Sequence, residues 1–290
     1  MLYNCPYCHH QHATIYRSNQ KLSNGEPRDI CRCSECSSLY PYPRMDELDI
    51  ENYMAIHESD DLQFDANLNE PTRYEEFLCT LLKSHMEVTG NALDIGAFTG
   101  RFCRILNAIG FDAYGLEPQS NACAFARTNG LKVFEGYFPE KLPSFLLKNK
   151  YKVISMMEII YYLVDLKKSL LLVKSMLDSE GFLLIKCHQG KSRYYNNPDN
   201  SCFKRYGDYV QAIPLHSSIN YCLQDAGFNV VYLEPMPRLF SKLDGILGKR
   251  FGSAVCKKFE RIFNRWRNRF ITDIESADRL IVLAQKKEEE

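Results

Sequence analysis

The sequence predicts an α/β fold, a parallel sheet covered by helices on both faces, with a small cysteine-rich unit in front of it. Three observations predict it. Short apolar runs alternate with segments whose apolar residues recur at helical spacing, the pattern of strand–helix–strand units. The stretch Asn91 to Leu106, NALDIGAFTGRFCRIL, joins a short apolar strand to a helix through the turn Gly96-Ala97-Phe98-Thr99-Gly100. Two CxxC pairs, Cys5-Pro6-Tyr7-Cys8 and Cys33-Ser34-Glu35-Cys36, lie near the N-terminus.

The cysteine pairs come first in the chain. Each CxxC forms a tight knuckle, and four thiolates converging on one point satisfy a tetrahedral zinc ion without leaving an open position. Such a site is structural, and in so short a segment the metal supplies folding free energy. Residues 1–45 are therefore expected to be a zinc ribbon with Cys5, Cys8, Cys33 and Cys36 as ligands. Cys31 reads as a spectator on a strand, and His9, His10 and His12 as a solvated loop or, alternatively, as substitute ligands. Twelve cysteines in 290 residues would be many for a disulfide-free protein if they were spread evenly, but five cluster in the ribbon and seven are scattered singly. Scattered thiols imply a reducing compartment, so a cytoplasmic location is expected.

Residues 46–90 read as a linker and helical cover. The part from 46 to 70 is acidic and weakly periodic; Pro71 then opens a helix with Tyr74, Phe77, Leu78, Leu81 and Leu82 on one face. Tyr74 is either core packing or a contact to a bound ligand. From residue 91 the main domain begins. Ala92, Leu93 and Ile95 form a strand with Asp94 inside it, and Phe102, Ile105, Leu106 and Ile109 mark the helix after the turn. A glycine-rich turn there lets a ligand approach the backbone and aims helix N–H groups at it. The glycines are spaced GxxxG, so the GxGxxG dinucleotide fingerprint is absent. Ala113 to Leu116 form the next strand, ending in Glu117, an acid 23 residues after Asp94. A carboxylate at that place suits ribose hydroxyls. A helix from Gln119 to Thr128, strands at Leu131–Phe134 and Tyr151–Met157, a helix capped by Asp165, and strands at Phe182–Ile185 and Phe228–Leu233 complete the alternation, with a helix from His216 to Ala226 before the last of these. Ligands of such sheets gather beyond the strand C-termini, which aligns Gly96, Glu117, Tyr137, Glu158 and His188 along one rim.

LDIGAFTGRF followed by the acid Glu117 resembles the first motifs of class I S-adenosylmethionine-dependent methyltransferases. The resemblance implies a Rossmann-like, doubly wound sheet whose last strand is antiparallel, a role that Asp278 to Ala284 fits. It implies S-adenosylmethionine as cofactor, held by Asp94, Gly96, Ala97, Phe98, Gly100, Glu117 and Pro118, with Tyr137 and Met157 beside the base and Tyr74 as a further contact. The ribbon running into a Pro-rich step is similar to the zinc-ribbon methyltransferases of bacterial sugar and surface-polysaccharide gene clusters. That similarity implies a small-molecule or glycan acceptor, nucleotide- or lipid-linked, in polysaccharide or secondary-metabolite biosynthesis. Sugar C-methyltransferases of this kind carry a Glu-His pair where Tyr161-Tyr162 stand here.

On the acceptor side the candidates are Glu158, Tyr161, Tyr162 and His188. Tyrosine is a poor base at neutral pH, whereas histidine is a natural proton acceptor there. O-methylation of a sugar hydroxyl assisted by His188 is the expectation. Residues 188–212, rich in Tyr, Arg, Lys and Asn, read as an irregular part of the acceptor pocket. The main domain, 91–290, also carries an insertion at 235–274. Within it, residues 238–270 hold ten Lys and Arg against two acids, with apolar residues at helical spacing. It reads as a helix packed on the domain, a dimer contact, or a peripheral contact with the inner face of a membrane. Formal net charge is zero, so no whole-chain field draws in nucleic acid. An RNA methyltransferase using the ribbon as a substrate module, and a non-catalytic methyltransferase-like partner protein, are the rival readings. No apolar stretch reaches the length needed to cross a bilayer.

Overall fold

The computed structural model describes residues 4–21, 27–44, 71–190, 210–236 and 279–287. The acidic linker at 46–70, most of the expected acceptor loop and nearly all of the basic insertion lie outside these residues.

The N-terminal unit is a three-stranded antiparallel sheet in the order β1 (Ala13–Lys21), β2 (Pro27–Cys33) and β3 (Leu39–Tyr42). The main sheet has seven strands. They are β4 (Asn91–Ile95), β5 (Asp112–Glu117), β6 (Lys132–Glu135), β7 (Tyr151–Met157), β8 (Leu177–His188), β9 (Phe228–Met236) and β10 (Arg279–Lys286), in the order β6-β5-β4-β7-β8-β10-β9. Strands β4 to β8 pair in parallel, and β10 lies antiparallel between β8 and β9. The expected antiparallel last strand is thus present. Order reverses between β4 and β7, so the crevice of such a sheet opens beyond the C-terminal ends of β4 and β7, with the end of β5 alongside.

Six helices accompany the strands among the described residues: α1 (Arg73–His85), α2 (Arg101–Ile109), α3 (Ser120–Thr128), α4 (Ser144–Lys148), α5 (Leu166–Met176) and α6 (His216–Asp225). Helix α1 begins in a reciprocal cap: Thr72 Oγ1 accepts from the Glu75 amide at 3.3 Å and Glu75 Oε2 accepts from the Thr72 amide at 2.6 Å. Leu78, Leu81 and Leu82 are buried as their spacing requires, but Phe77 is exposed, its ring tilted toward Tyr232 at 6.1 Å between ring centres. Strand β8 begins at Leu177, ahead of Gly181, because Leu177 continues the ladder with Tyr151. Asp165 caps α5 as its position suggests, Oδ1 accepting from the Lys168 amide at 2.9 Å.

The two faces of the sheet carry two apolar clusters. One joins β4, β5 and β7 to α1 and α2 through Leu78, Ala92, Phe102, Leu106 and Val153. The other includes Ile154, Met156, Leu170 and Ile185 and runs without a break into Tyr7, Ile30, Tyr40 and the cysteines of the ribbon. The small sheet shares a core with the large one.

Candidate functional site

The turn after β4 is shaped by contacts a side chain would forbid. Gly96 has φ +78°, and a Cβ there would come 2.6 Å from Ile159 Cγ2; at Gly100, φ +76°, it would come 2.7 Å from Leu131. Four of the turn's amides are committed within the fold. Gly96 and Ala97 donate to the Leu116 carbonyl at 2.8 and 3.0 Å, Gly100 donates to Ala97, and Phe98 donates to Glu117 Oε2 at 2.8 Å. The expectation that the turn aims the N–H groups of the following helix at a ligand concerns the amides from Arg101 onward, which these bonds leave untouched. The amides hold the turn against β5 and fix the carboxylate at its end.

That carboxylate is the centre of the donor side. Glu117 is buried, its Oε1 accepts from the Gln119 amide at 3.1 Å, and burial raises its pKa against the opposing effect of these two backbone donors. Each oxygen keeps a lone pair for a further donor such as a ribose hydroxyl. Beside it the Gln119 side-chain oxygen is buried without a hydrogen-bond partner among the described residues. Sequence reasoning passed over Gln119; its only signal was its place two residues after the acid. An orphaned buried acceptor next to a fixed carboxylate suits a hydroxyl-bearing nucleoside, so these residues fit S-adenosylmethionine. Tyr137 lies nearby: Gly136 donates to the Glu117 carbonyl at 3.0 Å, and Tyr137 exchanges backbone bonds with Lys141. Asp94 stands deeper, between β4 and β7, where Ser155 Oγ donates to its Oδ1 at 2.6 Å. Burial pushes its carboxyl up to about 7, Ser155 opposing and the Glu117 charge adding.

The second half of the rim forms around Glu158, at the end of β7. Glu158 has φ +65°, a strained backbone for a residue with a side chain, and its amide donates to the Lys186 carbonyl at 2.8 Å. Its carboxylate gathers four groups. Lys186 Nζ stands 3.0 Å and Arg279 Nε 3.4 Å from Oε1; His188 Nε2 stands 3.3 Å and the Tyr161 hydroxyl, a donor, 2.7 Å from Oε2. Burial, the largest single influence, pushes its pKa up, yet Lys186, His188, Arg279 and Tyr161 together hold it below the usual carboxylate range. Glu158, Tyr161 and His188, chosen from sequence, do come together. Lys186 and Arg279 were not foreseen, because the pairing of β10 with β8 that sets Arg279 opposite His188 is a long-range contact. Tyr162 packs edge-on against Tyr161, 4.6 Å between ring centres. Tyr74 comes to this half of the rim. Lys186 Nζ lies 4.8 Å from its ring centre, and its buried hydroxyl has no hydrogen-bond partner among the described residues. Met157, register partner of Lys186, packs partly buried against the helix α1–α2 side of the sheet.

The four ribbon cysteines converge. Their Sγ atoms all lie within 4.8 Å of one another, with Cys5–Cys36 at 3.6 Å and Cys8–Cys33 at 3.5 Å. Thiolates bound at about 2.3 Å around a tetrahedral centre stand about 3.8 Å apart, so the set fits a zinc ion. Cys31 is buried on β2 outside the cluster, and His9 bonds Asp165 Oδ1 through Nε2 at 2.9 Å instead of joining it.

A family model described as a methyltransferase domain matches residues 67–233. Among solved structures, an S-adenosylmethionine-dependent methyltransferase from Mesorhizobium loti is similar at 14% identity, covering 71% of this chain and 96% of that one, with a TM-score of 0.51. Another from Clostridium acetobutylicum ATCC 824 is 13% identical, covers 74% and 91%, and also scores 0.51. A coclaurine N-methyltransferase bound to N-methylheliamine and SAH is 14% identical, covers 83% and 81%, and scores 0.50. No curated protein matches the chain. These structural likenesses establish the shared fold.

Proposed function

We propose, from the premise that this chain belongs to the family of methyltransferase domains, that it is an S-adenosylmethionine-dependent enzyme methylating a sugar hydroxyl of a small-molecule or glycan acceptor. Bound S-adenosylmethionine supplies a methyl group on a sulfonium, open to in-line displacement by the acceptor oxygen. Glu117 and Gln119 bind the nucleoside end beside the Gly96–Gly100 turn, with Asp94, Pro118 and Tyr137 around them; Met157 and Tyr74 line the path toward Glu158. A closed tetrathiolate zinc site in the ribbon adds folding free energy and takes no part in the transfer.

The observation that carries the acceptor reading is the contact between Glu158 and His188. A carboxylate 3.3 Å from its Nε2 orients the imidazole and stabilises the charge it gains on taking a proton from an acceptor hydroxyl. Glu158 is kept ionised for this task by Lys186, Arg279 and the Tyr161 hydroxyl. Tyr161 is buried and donates to Glu158, which supports a positioning role for it in place of proton transfer. Tyr162 stands behind it. Lys186 and Arg279 leave positive charge at the rim, which suits a nucleotide- or phosphate-linked sugar.

A tritiated-methyl screen over nucleotide sugars and lipid-linked glycans tests the assignment. On the acceptor it finds, His188→Ala is expected to lower kcat by about 10²- to 10⁴-fold while leaving SAH binding intact. Full activity of that variant removes His188 from the chemistry. An absence of SAH binding by the native protein would remove the enzymatic reading altogether.

A further inference from the structure

The ribbon meets the main sheet through its first metal knuckle, and it does so on the loop that carries Tyr161. Three residues of that knuckle each touch a different part of this loop or of the segment backing it. The Pro6 carbonyl accepts from the Leu166 amide at 3.0 Å. His9 bonds Asp165, the cap of α5, at 2.9 Å. The Tyr7 hydroxyl donates to the Ala212 carbonyl at 3.2 Å. Ala212 and Gln211 in turn donate their amides to the Tyr161 carbonyl at 3.4 and 2.7 Å. The same segment closes against β3, where Leu39 and Ile213 exchange both backbone bonds at 3.1 and 2.7 Å. Arg44, just past β3, donates to the Val164 carbonyl at 3.1 Å.

Tyr7 is the keystone of this set. It sits between Cys5 and Cys8, its amide donates to Cys5 Sγ at 3.4 Å, and its ring is fully buried. A knuckle folded around a metal fixes the Tyr7 backbone, and that in turn fixes 210–213, Tyr161 and the hydroxyl that donates to Glu158.

We propose that the metal-bearing knuckle braces the acceptor half of the rim, with Tyr7 as the positioning residue that links the cysteine cluster through Ala212 and Tyr161 to the Glu158–His188 pair. This rests on the reading of that pair as the acceptor-side machinery. It also separates the ribbon from a substrate-capturing arm, since the face bearing Tyr7 is spent on the enzyme itself.

Full-length, zinc-loaded protein and its Tyr7→Phe variant provide the test, with hydrogen exchange and ¹⁵N spectra of the His188 ring as readouts that need no acceptor. Tyr7→Phe keeps the buried ring and removes one hydrogen bond. It should retain its zinc and bind SAH within about twofold of the native protein, while exchange in 158–166 and 210–215 quickens about five- to tenfold and β4–β5 stays protected. The His188 ring should pass from one dominant tautomer to an averaged pair as Glu158 loosens. Chelating the zinc should produce the same regional pattern, enlarged. Unchanged exchange and an unchanged His188 spectrum in Tyr7→Phe would overturn the proposal, whether or not the metal-free protein stays folded. Failure of the acceptor assignment would show separately, as full turnover by His188→Ala with these readouts still responding to Tyr7→Phe.

Discussion

At the scale of single residues, two buried carboxylates one strand apart are both raised by burial but differ in what holds them. Asp94 is buried with one hydroxyl donor and its folded pKa is raised to about 7. The proton is therefore bound more tightly in the folded chain than in the unfolded one. Stability is greatest below the unfolded value near 4 and declines as pH rises through about 7. Asp94→Asn keeps an acceptor for Ser155 and removes the charge. It is expected to raise stability at pH 8 by on the order of 3 kcal/mol, with no gain at pH 4, in urea melts across that range. A gain that does not depend on pH would show that the carboxyl is not neutralised by burial. Glu117 is also raised, yet it is held by two backbone donors at the mouth of the crevice. Glu117→Ala is expected to weaken SAH binding by about 10²-fold, read by calorimetry, since a bidentate charged acceptor is lost. The sequence made Glu117 visible because an acid closing the second strand has few other reasons to be there. Gln119 was invisible because its importance lies in a missing partner, and only packing reveals that.

At the scale of elements, the start of α1 is tied to the start of α2. Arg101 Nε and Nη2 grip Glu75 Oε1 and Oε2 at 2.6 and 2.9 Å, on the same carboxylate that closes the Thr72 cap. Burial pushes the Glu75 pKa up, but the Arg101 and Thr72 bonds outweigh it and the net direction is down. Its stabilisation is therefore present above the unfolded value and lost as pH falls through the folded one, below the usual carboxylate range. Glu75→Ala should cost about 2 to 4 kcal/mol at pH 7 and progressively less under acid, measured by thermal melts. An equal loss at pH 3 and pH 7 would assign the effect to packing. The turn between β4 and α2 is the other sensitive joint. Gly96→Ala would force a methyl group onto Ile159, the neighbour of Glu158, at a backbone angle that favours glycine. About 2 kcal/mol of stability and most of the acceptor-side order should go with it, seen as faster exchange at 157–162. The helical and strand periods announced nearly all these elements. The cap of α1 and the five-residue α4 were missed, the first because Pro71 alone was taken to open the helix, the second because one turn carries no period.

At the scale of the molecule, the ribbon and the main sheet share one apolar cluster, from Cys5 and Tyr7 through Tyr161 to Ile185. Heating should then give one unfolding transition, and removing the metal with a chelator should lower Tm by roughly 5 to 10 °C. Two separate transitions would mark the ribbon as an independent domain. The antiparallel direction of β10 was legible only through the family resemblance, and the order of the strands was not read at all, since spacing along a chain does not say which strands are neighbours. The pairing of β10 also joins Met236 and Arg279 as register partners, at the end of the sheet where Arg279 meets Glu158. The intervening stretch thus leaves and returns through a single doorway, and the sheet on either side is already stitched shut without it. A segment joined at those two ends can be exchanged for another at little entropic cost, while the paired strands that carry Arg279 and His188 stay as they are.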